Sequence, residues 1–431
     1  MASTMVAAVC AVPSFRMAGP LESSFVRRTS SANSGSKPCT ELTGGRRKCA
    51  VVTNATNQAS TSQELQVERR NDPLLLRVAR GEDAERTPVW LMRQAGRYMA
   101  EFRKYSQRYP FRQRSETPEI AIELSLQPWR AFQPDGVIMF SDILTPLPAL
   151  GIEFDMVPGK GPLIASPMRS MDDIRALRPL DDPDKSLPFI REILSSLRSE
   201  VDGKSTLLGF VGTPWTLAAY AMEGSADKNL LATKSIMYND PAILEAFLDH
   251  LTEALITYVC HQIDCGAQVV QLFDSWAHHL SPQQFKRFSL PYSEEVIRRV
   301  KERYPDTPLI FHANGGTGKL HLLAEGSKAD VIGLDWGTEM REARSVLGKK
   351  RVLQGNVDPM VFFGSDDAIR DAVEQCLTEA GGNQHILNVG HGVIQGTPEE
   401  KVLLFCQLAR ESGNRHNVQT SASKQEQVLI G

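Results

Sequence analysis

The sequence lacks the features that would send it to a polyanion, a bilayer or a nucleotide. Over 431 residues the formal net charge is -3, so the basic excess of a nucleic-acid-binding surface is missing. No apolar run approaches the roughly 20 residues needed to span a bilayer as a helix. No G-x-G-x-x-G follows the first apolar run, which removes the main sign of a dinucleotide-binding open sheet. Cysteine is sparse. Of seven, Cys10, Cys39 and Cys49 precede residue 60, and Cys260, Cys265, Cys376 and Cys406 fall inside predicted helices, a pattern of structural thiols in a reduced compartment. What is present is the 42% hydrophobic, 23% charged composition of a globular protein, which excludes disorder of the whole chain.

Acidic residues are scarce in residues 1–60, where Glu22 and Glu41 face Arg16, Arg27, Arg28, Lys37, Arg46, Arg47 and Lys48 in a Ser-rich context. An acid-poor, basic leader without a continuous apolar core reads as a transit peptide, plastid-like rather than secretory, with a plain disordered tail as the alternative. Removing its seven basic and two acidic residues takes the body from -3 to -8, an acidic background for any basic cleft. Residues 413–431 read as a flexible C-terminal tail.

Between residues 70 and 412 one unit recurs: a short run rich in Val, Ile, Leu and Phe, a polar or Gly-bearing end, then an amphipathic helix. The runs are "VWLMRQAG", "GVIMFSD", "TLLGFVG", "AQVVQLFDS", "PLIFHANG", "DVIGLDW", "RVLQGNVD" and "HILNVGHG". Near-continuous apolar strands alternating with helices require a parallel sheet covered by helices, and eight such units predict an α/β fold, a single (β/α)8 TIM barrel. Asp240-Pro241 predicts a helix start, with Ile243, Leu244, Phe247, Leu248, Leu251 and Leu255 on its apolar face and Gly266 ending it. Thr397 to Glu400 has capping-box spacing. The stretch from Thr145 to Leu207 predicts an insertion carrying a small hairpin over the barrel mouth, functional or merely packed.

Active sites of such barrels lie at the C-terminal strand ends, and here those ends are polar. They offer Arg93 and Arg97, Ser141 and Asp142, Asp274 and Ser275, His312 and Asn314, Asp335, Asn356 and Asp358, Asn388 and His391, with Tyr220 just beyond the third run. Two arginines four apart would be a solvated pair on an ordinary helix, but at a strand end they call for an anion, because a guanidinium cannot shed its charge. Asp142 and Asp358 could each cap a helix. The capping role suits Asp358, which precedes Pro359, while Asp142 follows an apolar run and points to the mouth. His391 lies between Gly390 and Gly392, either a turn residue or one brought close to a ligand. A metal-dependent amidohydrolase would need His-x-His at the first strand end, where this chain has arginines. Zinc-dependent methyl transfer would need a thiolate cluster, and His261 with Cys265 lacks that spacing. The adjacent His278 and His279 point apart on a helix, a poor metal pair. A glycosidase would place carboxylates on strands four and seven, and Asp274 and Asp358 occupy those ends, though that reading explains no arginine.

"MRQAGRYMAEFRKY" and "GFVGTPWTLAAYAMEG" closely resemble the two signatures of the uroporphyrinogen decarboxylases, and "FSDIL", "LFDSW", "GLDW", "LQGNVDP" and "NVGHG" follow in that family's order across residues 70–412. With the leader, the chain resembles a plant plastid form. The resemblance implies a homodimeric barrel that, without metal or organic cofactor, decarboxylates the four acetates of uroporphyrinogen III to coproporphyrinogen III. It carries substrate contacts onto Arg93, Gln94, Ala95, Gly96 and Arg97, onto Ser141 and Asp142, and onto Tyr220, Ser275 and His391, with Phe111 an aromatic contact and Phe210 a hydrophobic wall. Two departures concern the rim: His278 replaces a small residue, and Ser106 stands near where some members have a further arginine, with Arg108 as its substitute. The macrocycle carries eight carboxylates and four inward N–H donors. Clustered guanidinium groups suit the first and one ionised carboxylate, Asp142, the second. Asp142 is then expected to stabilise the cation formed when a pyrrole is protonated, with Arg93 and Arg97 binding carboxylates and an arginine or an associated water supplying the proton.

Overall fold

The computed structural model describes residues 71–411 apart from 158–160, 226 and 383; the expected leader, residues 1–60, and the expected tail, residues 413–431, lie outside them. Strand β1 is Gly136–Ile138, β4 Thr206–Gly212, β5 Val269–Asp274, β6 Leu309–Ala313, β7 Val331–Gly333, β8 Val352–Val357 and β9 His385–Val389, all parallel in the order β1-β4-β5-β6-β7-β8-β9. The remaining strands, β2 (Phe154–Val157) and β3 (Gly161–Ile164), form an antiparallel hairpin.

The first apolar run does not become a full strand. It makes a single parallel bridge, Val89 to Leu387, yet it joins both edges of the sheet: Leu387 N–H donates to Pro88 O (2.9 Å), Trp90 N–H to Leu387 O (3.3 Å), and Asp135 N–H to Val89 O (2.7 Å). The ring thus closes as an eight-segment barrel. Pairing stops at Trp90 because the chain turns, Gln94 N–H bonding Leu91 O, and Arg93 enters the left-handed region at φ 58°.

Strand alternation then sorts side chains. Trp90, Met92, Ile138, Leu208, Phe210, Val269, Ile310, Val331, Val352 and Ile386 form one cluster inside the barrel, and helix Leu74–Ala79 plugs its lower end with Leu75, Leu76, Val78 and Ala79. Outward-facing residues such as Leu207, Val211, Val270 and Leu272 pack under the helices in a separate, larger cluster. Within the barrel a polar chain spans the lumen: Trp90 Nε1–H donates to Gln354 Oε1 (2.9 Å) and Gln354 Nε2–H to Gln271 Oε1 (2.9 Å).

The helices follow their sequence signals with two exceptions. Ser281 and Gln284 form a reciprocal capping box ahead of Pro282–Phe288, and Leu244, Phe247, Leu248, Leu251 and Leu255 are buried along Pro241–Asp264. Each such side chain contributes about 1.5–3 kcal/mol when removed from water. Asp240 precedes that helix, but its side chain caps nothing. The capping box expected at Thr397 is also not made: Thr397 Oγ1 is buried without a partner among the described residues. The expected hairpin is present, and Ile164 N–H bonds Gly224 O (2.7 Å), tying it to the end of helix Pro214–Glu223.

Candidate active site

The polar strand ends separate into those whose hydrogen bonds close on the protein and those that remain open. Asp274, fully buried at the end of β5, accepts from Thr213 Oγ1 (3.0 Å), Thr216 Oγ1 (2.9 Å) and Ser289 Oγ. Asp335 accepts from Gly316 N–H (2.6 Å) and Thr338 Oγ1 (3.0 Å), while Asn356 donates to Asp335 O and Thr338 O. Asp358 caps the short helix Pro359–Phe363 through Met360 N–H (2.9 Å), the capping role read from its sequence. Asn388 Oδ1 accepts from Met92 N–H (3.0 Å) and so pins the first segment to β9. These residues build the rim. With Asp274 saturated and Asp358 capping, the carboxylate pair a glycosidase would need is not available.

Asp142 differs. Thr145 holds its backbone, Oγ1 donating to Asp142 O (2.7 Å) and accepting from Asp142 N–H (3.2 Å), and the same hydroxyl engages Ser141 Oγ at 2.7 Å. Ser141 is thereby part of the turn that aims Asp142. Of the carboxylate, Oδ1 accepts from Leu144 N–H (2.8 Å), and Oδ2 has no donor among the described residues. Desolvation pushes this carboxyl up to about 6 against the pull of the Leu144 N–H and of the nearby Arg93 guanidinium.

Arg93 is exposed, on the segment that closes the ring, and its charge acts on the Asp142 carboxyl. Its stem lies on Gly392, where an added Cβ would meet Arg93 Cδ at 2.2 Å. Gly390 allows a second close approach, with Trp336 N 2.1 Å from where its Cβ would be. Val393 N–H closes the junction on Met92 O (2.9 Å). The glycines of "NVGHG" are thus a seat for "MRQAGR". A non-glycine residue at positive φ is uncommon, and at Arg93 it turns the guanidinium out of the barrel wall.

Around this pair the other expected residues gather unevenly. The charges of Asp142 and Arg93 both act on Tyr220, whose hydroxyl burial shifts upward and whose ring stands edge-on to Trp276 with centroids 4.8 Å apart. His391 is half-buried, and burial first, then Arg93, lowers its pKa, so it presents a neutral imidazole. Ser275 is half-buried; its carbonyl receives Asn314 Nδ2–H (3.2 Å), and its hydroxyl takes no partner among the described residues. Phe210 lies in the barrel interior against Phe273 (5.7 Å), and Phe111 packs at 5.8 Å from Phe140, the residue before Ser141. Arg97 is exposed beside a half-buried Gly96, and Ala95 is half-buried. Gln94 is placed elsewhere: it is buried, its amide donating to Gly136 O (3.0 Å), and it braces the turn from within. His278 is exposed next to Trp276 and His279, in ring contact with both.

Sequence reasoning missed Thr145, which sets the Asp142 turn, and Arg114, whose place depends on how the segment after residue 110 folds back. The only signal for Thr145 was its i+3 spacing from Asp142. Among the described residues no group of three or more His, Cys, Asp or Glu is placed to hold a metal ion, and no helix is long and apolar enough to cross a membrane.

The sequence model of the uroporphyrinogen decarboxylases matches residues 70–412. The chain belongs to that family. A uroporphyrinogen decarboxylase of Crocosphaera subtropica is 56% identical over 340 residues, covering 79% of this chain and 96% of the relative. One from Picosynechococcus is 54% identical over 344 residues, covering 80% and 98%. Among solved structures, a methyltransferase from Methanosarcina mazei superposes with a TM-score of 0.67 at 20% identity, covering 79% of this chain and 98% of the other, a likeness of fold.

Proposed function

We propose that this mouth is the site at which the enzyme removes carbon dioxide from the four acetates of uroporphyrinogen III, yielding coproporphyrinogen III in tetrapyrrole biosynthesis. The observation that carries the site assignment is the placement of an incompletely satisfied, desolvated carboxylate, Asp142, within reach of the Arg93 charge and beside the neutral Tyr220 hydroxyl. Its free Oδ2 accepts pyrrole N–H groups turned toward the macrocycle centre. Protonation of the pyrrole at a ring carbon makes a cation. The acetate C–C bond then breaks, its electron pair neutralises that cation as an exocyclic methylene, and carbon dioxide departs. A proton added to the methylene and one lost from the ring restore the pyrrole with a methyl group. Asp142, ionised, stabilises the cation as it develops, in a site where poor hydration strengthens the interaction.

Arg93 and Arg97 bind substrate carboxylates, Tyr220 and Ser275 donate hydroxyl hydrogen bonds, and the neutral His391 imidazole orients a side chain without adding charge. Phe111 and Phe210 give apolar contact. A homodimer and a plastid location following removal of the leader complete this reading, supported by the resemblance to plastid forms and by the acid-poor composition of residues 1–60. The test is anaerobic incubation with uroporphyrinogen III, then oxidation and chromatography by carboxylate number. Four carboxylates lost is the expected result; a folded sample that leaves all eight in place overturns the proposal.

A further inference from the structure

The segment after Arg97 holds four further arginines with very different surroundings. Arg103 folds back on the chain, its Nη1–H donating to Arg97 O (3.2 Å) and Tyr98 O (2.6 Å). Arg108, two residues beyond the position where some family members carry an additional arginine, is exposed and lies over the Tyr109 ring at 5.1 Å. Arg112 is neutralised by Glu116 (2.7 Å) and Glu153 (3.1 Å). Arg114 is 9% exposed, and its guanidinium is set among three aromatic faces, 5.5 Å from Phe102, 5.4 Å from Phe111 and 6.0 Å from Phe140. Its Nε–H donates to Tyr109 O (3.1 Å), and among the described residues no carboxylate pairs with it. The acid nearest in sequence, Glu116, is engaged by Arg112.

A buried cation without an anion is costly, and aromatic faces compensate only in part. The charge of Arg97 adds repulsion, which with burial lowers the Arg114 pKa. Two like charges kept near one another on the wall that leads through Phe111 and Phe140 to Ser141 and Asp142 are relieved by one anion between them. A guanidinium whose Nε is fixed keeps its outer nitrogens for that anion, and its planar fork suits a carboxylate.

We infer that Arg114 is a third carboxylate-binding residue of the cleft, sharing one side-chain carboxylate of the macrocycle with Arg97. It supplies the cation that Ser106 lacks, in place of the exposed Arg108. The inference rests on the proposed reading of the mouth as a tetrapyrrole site. It is tested with Arg114→Met, whose apolar chain can fill the aromatic wall, in steady-state decarboxylation of uroporphyrinogen III. KM is expected to rise on the order of 10- to 100-fold, the size of one lost charge-assisted pair, with kcat within about threefold. Arg114→Lys should recover most of the loss, and Arg108→Gln should leave KM unchanged. Because one carboxylate is shared, the KM penalties of Arg97→Gln and Arg114→Met should fail to multiply in the double variant. Should Arg114→Met not fold, Arg114→Gln is measured in its place. An unchanged KM in a folded neutral variant, or fully multiplicative penalties, overturns the inference while the wild-type enzyme still decarboxylates. A wild-type enzyme that releases no carbon dioxide overturns the reading of the site instead.

Discussion

Asp142 and Asp274 are both aspartates at the end of an apolar barrel strand, and burial raises the pKa of each. They differ in what surrounds the charge. Three hydroxyls converge on Asp274, so its charge is spent on holding helices Pro214–Glu223 and Leu290–Arg303, entered through Thr213, Thr216 and Ser289, against β5. Asp142 has one backbone donor and an arginine nearby, so part of its acceptor capacity is left for a ligand. The same residue type at the same place in the architecture is a rivet in one case and, on the proposed reading, a reagent in the other. The difference lies in the number of donors, which strand position does not determine.

The comparison is broken most forcefully by exchanging each carboxylate for a neutral group. Asp142→Asn should lower kcat by about 10²- to 10³-fold, the usual cost of one electrostatic stabiliser, with a melting temperature within a few degrees of wild type. Near-normal turnover would remove Asp142 from the mechanism. Asp274→Leu should do the reverse, leaving three buried hydroxyls unpaired and costing about 3–5 kcal/mol in urea denaturation, with kcat per folded molecule little altered.

A third effect is a pH limb. Asp142 must be ionised to accept N–H groups, so kcat/KM should fall as pH drops through about 6, and this limb should vanish in Asp142→Asn. Stability has the opposite sign. A carboxyl whose folded pKa is raised favours the folded state fully below its unfolded value near 3.8, and this contribution is lost as pH rises through about 6. Wild type should therefore lose stability relative to Asp142→Asn across that window. Gly392→Ala, which drives a methyl group into Arg93, should raise KM about tenfold by shifting the guanidinium. The smallest expected change is at Thr397, whose hydroxyl is buried without a partner. Thr397→Val should be neutral or stabilising by up to about 1 kcal/mol.

The eight-unit barrel and the polar strand ends were legible because they follow from hydrophobic period and turn chemistry, both local. Seven runs became strands. The first did not, because Arg93 takes a left-handed turn that only its seat on Gly392 explains, 299 positions along the chain. The resemblance brought Arg93 and Asp142 into one list, but it also included Gln94, which the fold uses as an internal brace. Arg114 was invisible for a related reason. Its neighbours Phe102 and Phe140 come from other elements, and no spacing in "YPFRQR" distinguishes it from the surface-paired Arg112. The capping spacing at Thr397 misled, since its hydroxyl is buried without a partner among the described residues.

The ring closure at Val89 has a consequence for how the enzyme fails. One bridge, four backbone hydrogen bonds and a few side-chain bonds replace a full ladder there, so the seam is expected to be the first place a thermal or denaturant fluctuation parts the hoop. Arg93 rides on that seam. Fast amide hydrogen exchange at Trp90 and Leu387 should accompany loss of turnover in mild urea, before the helical circular dichroism changes. The enzyme's working lifetime is then set by how long its weakest hoop stays shut.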